Sequence, residues 1–216
     1  AGVKEFIFII SKKKENIKKY FFNDSFYQKI IKKNNDKFIL KKLKKIKKYQ
    51  KMIKFVYQNS PKGTGDAVLK CQKLIKNNFF LMLLPDDLII NKNCTKEIIK
   101  LHKKTKSSII STKTVNKKTV SRWGILKIKN KRKNYFQIAD VIEKPSVKNA
   151  PSNFAIIGRY ILPYKIFDEI KKLKPKKGTE VHITDAIRNI ILKGDPFYAN
   201  IFKGKYLDCG TLSGYI

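Results

Sequence analysis

Five short segments bring together residue types that can handle phosphate. Leu84-Pro85-Asp86-Asp87 puts two adjacent carboxylates directly after an apolar run. Carboxylate oxygens suit a hard cation such as magnesium, which usually shares its shell with substrate phosphates. A carboxylate at the C-terminal end of a buried parallel strand also stands where ligands bind in open α/β sheets. A turn or N-cap aspartate is the alternative reading. Gln58-Asn59-Ser60-Pro61-Lys62-Gly63-Thr64-Gly65-Asp66-Ala67-Val68 sets glycines between a β-rich stretch and a helical one. Such glycines let a ligand lie against the backbone, and they expose amides at the positive end of a helix dipole. The spacing is neither G-x-G-x-x-G nor a P-loop, so a plain strand–helix turn accounts for it as well. Tyr206-Leu207-Asp208-Cys209-Gly210 offers Asp208 as a second metal carboxylate. Val141-Ile142-Glu143-Lys144-Pro145 taken alone reads as a surface ion pair ending a strand. Gly178 to Ile187 holds Glu180 and His182. His182 has no Cys or His at metal spacing, so it reads as a packed or exposed histidine, and His102 on a Lys-rich helix reads as solvated. No Ser/His/Asp nucleophile arrangement stands out.

The elements that must hold these segments follow from hydrophobic period. Val3 to Ile10 predicts a buried strand, Lys12 to Phe22 a helix, and Phe26 to Lys48 contains another. Within it Lys41 to Lys48 forms a basic face, read as solvated surface. Lys51 to Gln58 predicts a strand, Asp66 to Ile75 a helix, and Phe79 to Leu84 a second continuous apolar strand. Strand, loop, helix, strand is the βαβ pattern of a parallel sheet. Lys96 to Lys103 predicts a helix and Ser107 to Thr112 a strand. Strands over Gly124 to Lys129 and Tyr135 to Glu143 flank a basic turn and suggest an antiparallel excursion. Phe154 to Leu162 predicts a strand, and Lys165 to Leu173 and Thr184 to Leu192 predict helices, the last capped by Thr184 or the preceding turn. Tyr198 to Phe202 is a further strand. The expected fold is α/β: a Rossmann-like mixed, mainly parallel sheet flanked by helices, with an inserted antiparallel layer, in one domain over residues 1–216.

Composition narrows the class. A chain of 216 residues, 42% hydrophobic, has the apolar material for one substantial core. No apolar run approaches the roughly 20 residues needed to span a bilayer, and no signal peptide is visible. The chain therefore reads as soluble, intracellular and cytoplasmic, without a membrane partner. Three cysteines at wide spacing make no disulfide framework and no zinc pair. Fifty Lys plus Arg against 16 Asp plus Glu give a net charge of +34. Such a charge attracts polyanions. The excess is nearly all Lys, mixed along the chain with Ile, Asn, Phe and Tyr, and Arg, the usual reader of base edges, is scarce. Solvated surface is the favoured reading, and no specific nucleic-acid partner is expected.

Taken together and in this order, the segments resemble the sugar-phosphate nucleotidyltransferase family. The matches are Gln58 to Val68, Leu84 to Asp87, Trp123-Gly124, Val141 to Pro145, Ala150 to Tyr160, Gly178 to Ile187 and Asp208 to Gly210. Within the family the Ala150 to Tyr160 stretch (APSNFAIIGRY) favours the bacterial uridylyl enzymes over thymidylyl or adenylyl relatives. The resemblance implies transfer of a nucleotidyl group from UTP to glucose 1-phosphate, giving UDP-glucose and pyrophosphate. It implies that Gln58 and the Gly63 backbone read uracil. Asp86 and Asp208 would hold Mg²⁺, Gly124 and Glu143 would bind the sugar, and Lys144 would grip the sugar phosphate. Glu180 would lie near the sugar pocket, which makes the antiparallel layer the sugar-binding one. A homo-oligomer is implied too.

Several positions depart from the family. Its opening strand and G-x-G-T-R loop are missing, and the chain stops at Tyr215-Ile216, so truncation at both ends relative to the family is expected. Trp123 stands for the usual Tyr, and Asp66 where His is frequent. Two other readings stay open. One is a relative using another nucleotide or hexose 1-phosphate. The other is an inactive, basic nucleic-acid-binding derivative.

Overall fold

The computed structural model describes residues 2–22, 25, 29, 33, 37–174 and 178–210. Runs rich in Ile, Phe and Val form strands β1 (Phe6–Ile10), β2 (Ile53–Tyr57), β3 (Phe79–Leu83), β5 (Ser108–Thr114), β8 (Phe154–Pro163) and β9 (Phe197–Ile201). Strands β6 (Gly124–Lys131) and β7 (Tyr135–Glu143) make the expected antiparallel hairpin. Two strands of four residues each, β4 (Asp87–Ile90) and β10 (Lys205–Asp208), were not expected. They are too short to show a period and exist because they pair with each other, Asp208 opposite Asp87.

Helices whose bounds fall among the described residues are α1 (Glu15–Phe22), α2 (Lys37–Gln50), α3 (Thr64–Leu69), α4 (Cys94–Thr105), α5 (Ile166–Lys172) and α6 (Ile183–Leu192). Helix α3 is shorter than the expected Asp66 to Ile75, because Gln72–Leu74 tighten into a 3-10 turn. Helix α4 starts at Asn93, whose side chain accepts from the Lys96 N–H at 2.9 Å, and ends at Lys106 in the left-handed region. In α2, Leu43 is buried while Lys41, Lys44, Lys45, Lys47 and Lys48 are exposed, which is the solvated face expected there.

The mixed α/β architecture is as expected, but its pairings lean antiparallel. The main sheet has the order β3-β8-β5-β9-β7-β6. Only β5–β9 is parallel within it; β2 pairs in parallel with β1 in a two-stranded sheet of its own. The reason is β8. It runs antiparallel between β3 and β5, the two strands that a βαβ unit would make neighbours.

Two large cores hold the sheet, with a smaller one around Val120, Ile125 and Ala155. Helix α6 buries Ile183, Ala186, Ile187 and Ile190, a spacing of three and four that makes one face, in a cluster with Leu126, Phe136, Val141 and Phe154. Helix α4 buries Cys94, Ile98 and Leu101 among Ile109, Ile157 and Ile161. Each fully buried aliphatic side chain stabilises by about 1.5–3 kcal/mol. His102 is not solvated: its Nδ1 lies 2.7 Å from the Ser107 carbonyl oxygen, and its ring centroid 4.7 Å from that of Phe79. Cys71 and Cys94 are buried, and burial pushes both thiols up to about 11, so they are packing residues. Among the described residues no helix is long and apolar enough to cross a membrane.

Candidate active site

Strand β3 ends in a turn, and that turn delivers Asp86. Arg159 on β8 holds it in place. The guanidinium donates to the carbonyls of Leu84 at 2.9 Å, Gly158 at 2.8 Å and Asp87 at 2.6 Å. From the other side, the Cys209 N–H donates to the Asp86 carbonyl at 2.8 Å. This tie and the β4–β10 pairing bring Asp208 alongside. A Cβ placed on Gly210 would lie 2.9 Å from Asp86 Oδ2 and 3.2 Å from Asp208 Oδ1. Two carboxylates thus share the space over one glycine.

Asp87 does not join them. The expectation of two adjacent carboxylates on one cation is corrected here, because neighbouring residues in an extended turn point apart. Asp87 is buried, accepts from the Gly158 N–H and the Tyr206 hydroxyl, and anchors β4 against β8. Burial pushes its carboxyl above the usual range, and those two hydrogen bonds hold the rise back.

Gln58 and Gly63 meet on the loop between β2 and α3. The Gln58 Nε2 donates to Asp66 Oδ2 at 2.7 Å and lies 3.4 Å from the Gly63 carbonyl. Gly63 has φ of 101°, and a Cβ there would lie 2.6 Å from the Val181 carbonyl oxygen. Only glycine allows that conformation with so close a neighbour. The chain from 180 to 184 is strapped to this loop. The Val181 N–H donates to Lys62 O at 2.7 Å, the Gly65 N–H to Val181 O at 2.8 Å, and the Ile183 N–H to Thr64 Oγ1 at 3.1 Å. Glu180 is exposed and neighbours Gly63.

The same segment reaches the antiparallel layer. Thr184 does not cap α6. The preceding turn, the other expected alternative, takes that place with His182 at the cap position, and the Thr184 hydroxyl donates to Glu143 Oε2 at 2.8 Å. Gly124 is opposite Glu143 in the β6–β7 register. Gly124 is buried, and a Cβ there would lie 3.0 Å from Ile156 Cδ1, 3.1 Å from Glu143 Oε2 and 3.3 Å from Thr184 Cγ2, so the carboxylate packs closely against this glycine. Lys144 follows in the left-handed region, φ 43°, with its N–H donated to the Trp123 carbonyl at 3.0 Å. Its side chain is exposed.

Two cations that sequence reasoning missed stand at the same corner. Arg122 Nη2 is 3.7 Å from Asp208 Oδ2. Lys113, at the end of β5, holds its Nζ 3.7 Å from the Tyr206 ring centroid and 4.8 Å from that of Trp123. Burial lowers the Lys113 ammonium below the usual lysine value, and Asp87 and Asp208 oppose that fall. Among fifty Lys and Arg no sequence signal marks these two. A cavity of about 380 Å³ lined by Lys92, Lys100, Lys104 and Lys203 holds none of the candidate residues.

The sequence profile of the family described as nucleotidyl transferase matches residues 9–216. The chain belongs to the nucleotidyl transferase family. This nucleotidyltransferase is 32% identical over its whole length to a UTP–glucose-1-phosphate uridylyltransferase of Streptococcus pyogenes serotype M3, covering 73% of that protein. It is 30% identical to the corresponding enzyme of Staphylococcus saprophyticus, again over its whole length and 75% of the relative. Its fold superposes with a TM-score of 0.84 on a crystal structure of UDP-glucose pyrophosphorylase complexed with UDP-glucose. That match has 32% identity and covers 98% of this chain and 78% of the other. The resemblance read from the order of Gln58 to Gly210 therefore falls in the right family, and within it among the uridylyl enzymes.

Proposed function

We propose that the protein transfers a uridylyl group from UTP to glucose 1-phosphate, releasing pyrophosphate. An oxygen of the sugar phosphate attacks the α-phosphorus of UTP. The new P–O bond forms as the bond to the bridging β-phosphate oxygen breaks, and pyrophosphate leaves with that electron pair. No protein nucleophile is needed, because the substrate phosphate is one. The convergence of Asp86 and Asp208 over Gly210 is the observation that carries the reading.

Asp86 and Asp208 are assigned to magnesium. Two hard oxygen donors beside an open face fit an ion that completes its shell with water and substrate phosphates. When bound, it would neutralise charge on the phosphate oxygens. Lys144 is assigned to the phosphate of glucose 1-phosphate, offsetting the repulsion between two anionic substrates. Glu143 is assigned to the glucose hydroxyls. Its carboxylate is held by the Thr184 hydroxyl beside Gly124, which supports that assignment. Gln58 and the Gly63 backbone are assigned to uracil. Discrimination there follows from the cost of leaving a buried polar group unpaired. Glu180 is assigned to the rim between loop and sugar pocket, supported by its place beside Gly63 and four residues before Thr184. Positioning of the two substrates supplies much of the acceleration.

Pyrophosphate release, measured with each of the four nucleoside triphosphates and with glucose 1-phosphate against other hexose 1-phosphates, tests the assignment. The expected outcome is turnover with UTP and glucose 1-phosphate that Asp86→Ala and Lys144→Ala abolish. Polyanion binding that falls steeply with salt and is untouched by Asp86→Ala, with no release from any pair, would overturn it.

A further inference from the structure

We propose that Lys113 and Arg122 form a phosphate subsite beside Asp208 that receives the phosphate monoester of the sugar substrate; this rests on the transferase reading above.

Lys113 is half-buried, with its ammonium held against two aromatic rings that stand edge to face, their centroids 5.8 Å apart. Among the described residues that ammonium makes no hydrogen bond and no ion pair, although it has three donors to place. Leaving such a group in a partly dry site without acceptors is costly. The nearest carboxylates do not satisfy it. Asp87 is committed to Gly158 and Tyr206. Asp208 is shared with the Gly210 N–H and with Arg122, whose nitrogen stands 3.7 Å away, beyond hydrogen-bond distance. Two cations therefore sit together with most of their donors unspent.

Their location says which anion fits. Arg122 leads through Trp123 into Gly124, the residue opposite Glu143. The Trp123 carbonyl also fixes the Lys144 N–H. Lys113, Arg122 and Lys144 thus stand beside Gly124 and Glu143, the residues assigned to the sugar. A dianionic monoester can accept from an ammonium and a guanidinium at once. The competing account is that Lys113 merely covers the rings and Arg122 merely leans on Asp208. Methionine at 113 would then preserve the contact and leave ligand binding alone.

Trp123 is the only tryptophan of the chain and touches Lys113, so its fluorescence reports the corner directly. Glucose 1-phosphate and UTP are titrated separately, in magnesium buffer, into the wild type, Lys113→Met, Lys113→Arg, Arg122→Gln and, as a net-charge control on α2, Lys41→Met. Circular dichroism confirms that each variant is folded. Losing a charge-assisted contact predicts that Kd for glucose 1-phosphate rises about tenfold in Lys113→Met and Arg122→Gln. Lys113→Arg recovers most of it, and UTP affinity stays within about twofold. Should Lys113→Met not fold, Arg122→Gln, at an exposed position, carries the test. The proposal is overturned if folded variants bind glucose 1-phosphate like wild type or like Lys41→Met, or if UTP weakens equally. A folded wild type that binds neither ligand sinks the transferase reading with it, whereas a wild type that binds and turns over while Lys113→Met does the same sinks only this subsite.

Discussion

Asp86 and Asp208, 122 residues apart in sequence, bring their carboxylates to within contact of the same point above Gly210. Neither is placed by its own strand alone. Arg159 clamps the turn that carries Asp86, and the β4–β10 pairing carries Asp208 to it. Two carboxylate oxygens converging on one glycine are what a shared cation would need.

A methyl group on that glycine should be harmful to turnover and mild for folding. Gly210→Ala is expected to displace both carboxylates and reduce turnover about a hundredfold, the scale of a 1 Å misplacement. Gly210 is exposed, so the thermal midpoint should shift little. Steady-state kinetics beside a thermal melt checks both halves.

Thr184→Val keeps the shape of the side chain and removes the hydroxyl that orients Glu143. A hydrogen bond to a charged group contributes about 1.5–3 kcal/mol. KM for glucose 1-phosphate is therefore expected to rise about tenfold or more, with KM for UTP unchanged. Equal changes in both constants would place Glu143 elsewhere in the reaction.

Arg159→Lys should not be conservative. One ammonium cannot span the Leu84, Gly158 and Asp87 carbonyls that the guanidinium bridges. The Gly158 carbonyl keeps the Leu84 N–H at 2.9 Å, whereas the Leu84 and Asp87 carbonyls lose a donor, and a buried carbonyl left unpaired costs about 1–3 kcal/mol. A lower urea midpoint and a fall in kcat are expected together, because the same turn carries Asp86.

Asp87 makes a pH-dependent contribution whose sign follows from burial. Its folded-state value is raised above the ordinary 3.8. The folded protein therefore holds the proton more tightly than the unfolded chain, and the stabilisation is complete below that ordinary value. It is lost as pH rises through the folded-state value. In Asp87→Asn the amide oxygen can accept from Gly158 while the amide nitrogen donates to the Tyr206 hydroxyl, which rotates to accept. The urea stability of wild type relative to Asp87→Asn should thus decline across that window and level off above it. A difference that grows with pH would contradict the burial argument.

Much of this protein is legible in residue order. Continuous apolar runs such as Phe79–Leu83 and Phe154–Pro163 announce their strands, and the three-four spacing of Ile183, Ala186, Ile187 and Ile190 announces α6. The candidate residues Gln58, Gly63, Asp86, Glu143, Lys144 and Asp208 take their roles from the ordered series of segments that resembles the family, since a strand end or a turn taken singly is ambiguous. Sheet order is not visible, since hydrophobic period says that a strand is buried and nothing about its neighbour. Hence β8 between β3 and β5 came from the fold alone. The division of labour between Asp86 and Asp87 was likewise decided in three dimensions. Adjacent carboxylates look alike in sequence, and only the packing of Gly158 and Tyr206 around one of them sets it apart. Lys113 is the extreme case: one charge among fifty is indistinguishable until tertiary structure removes water from around it.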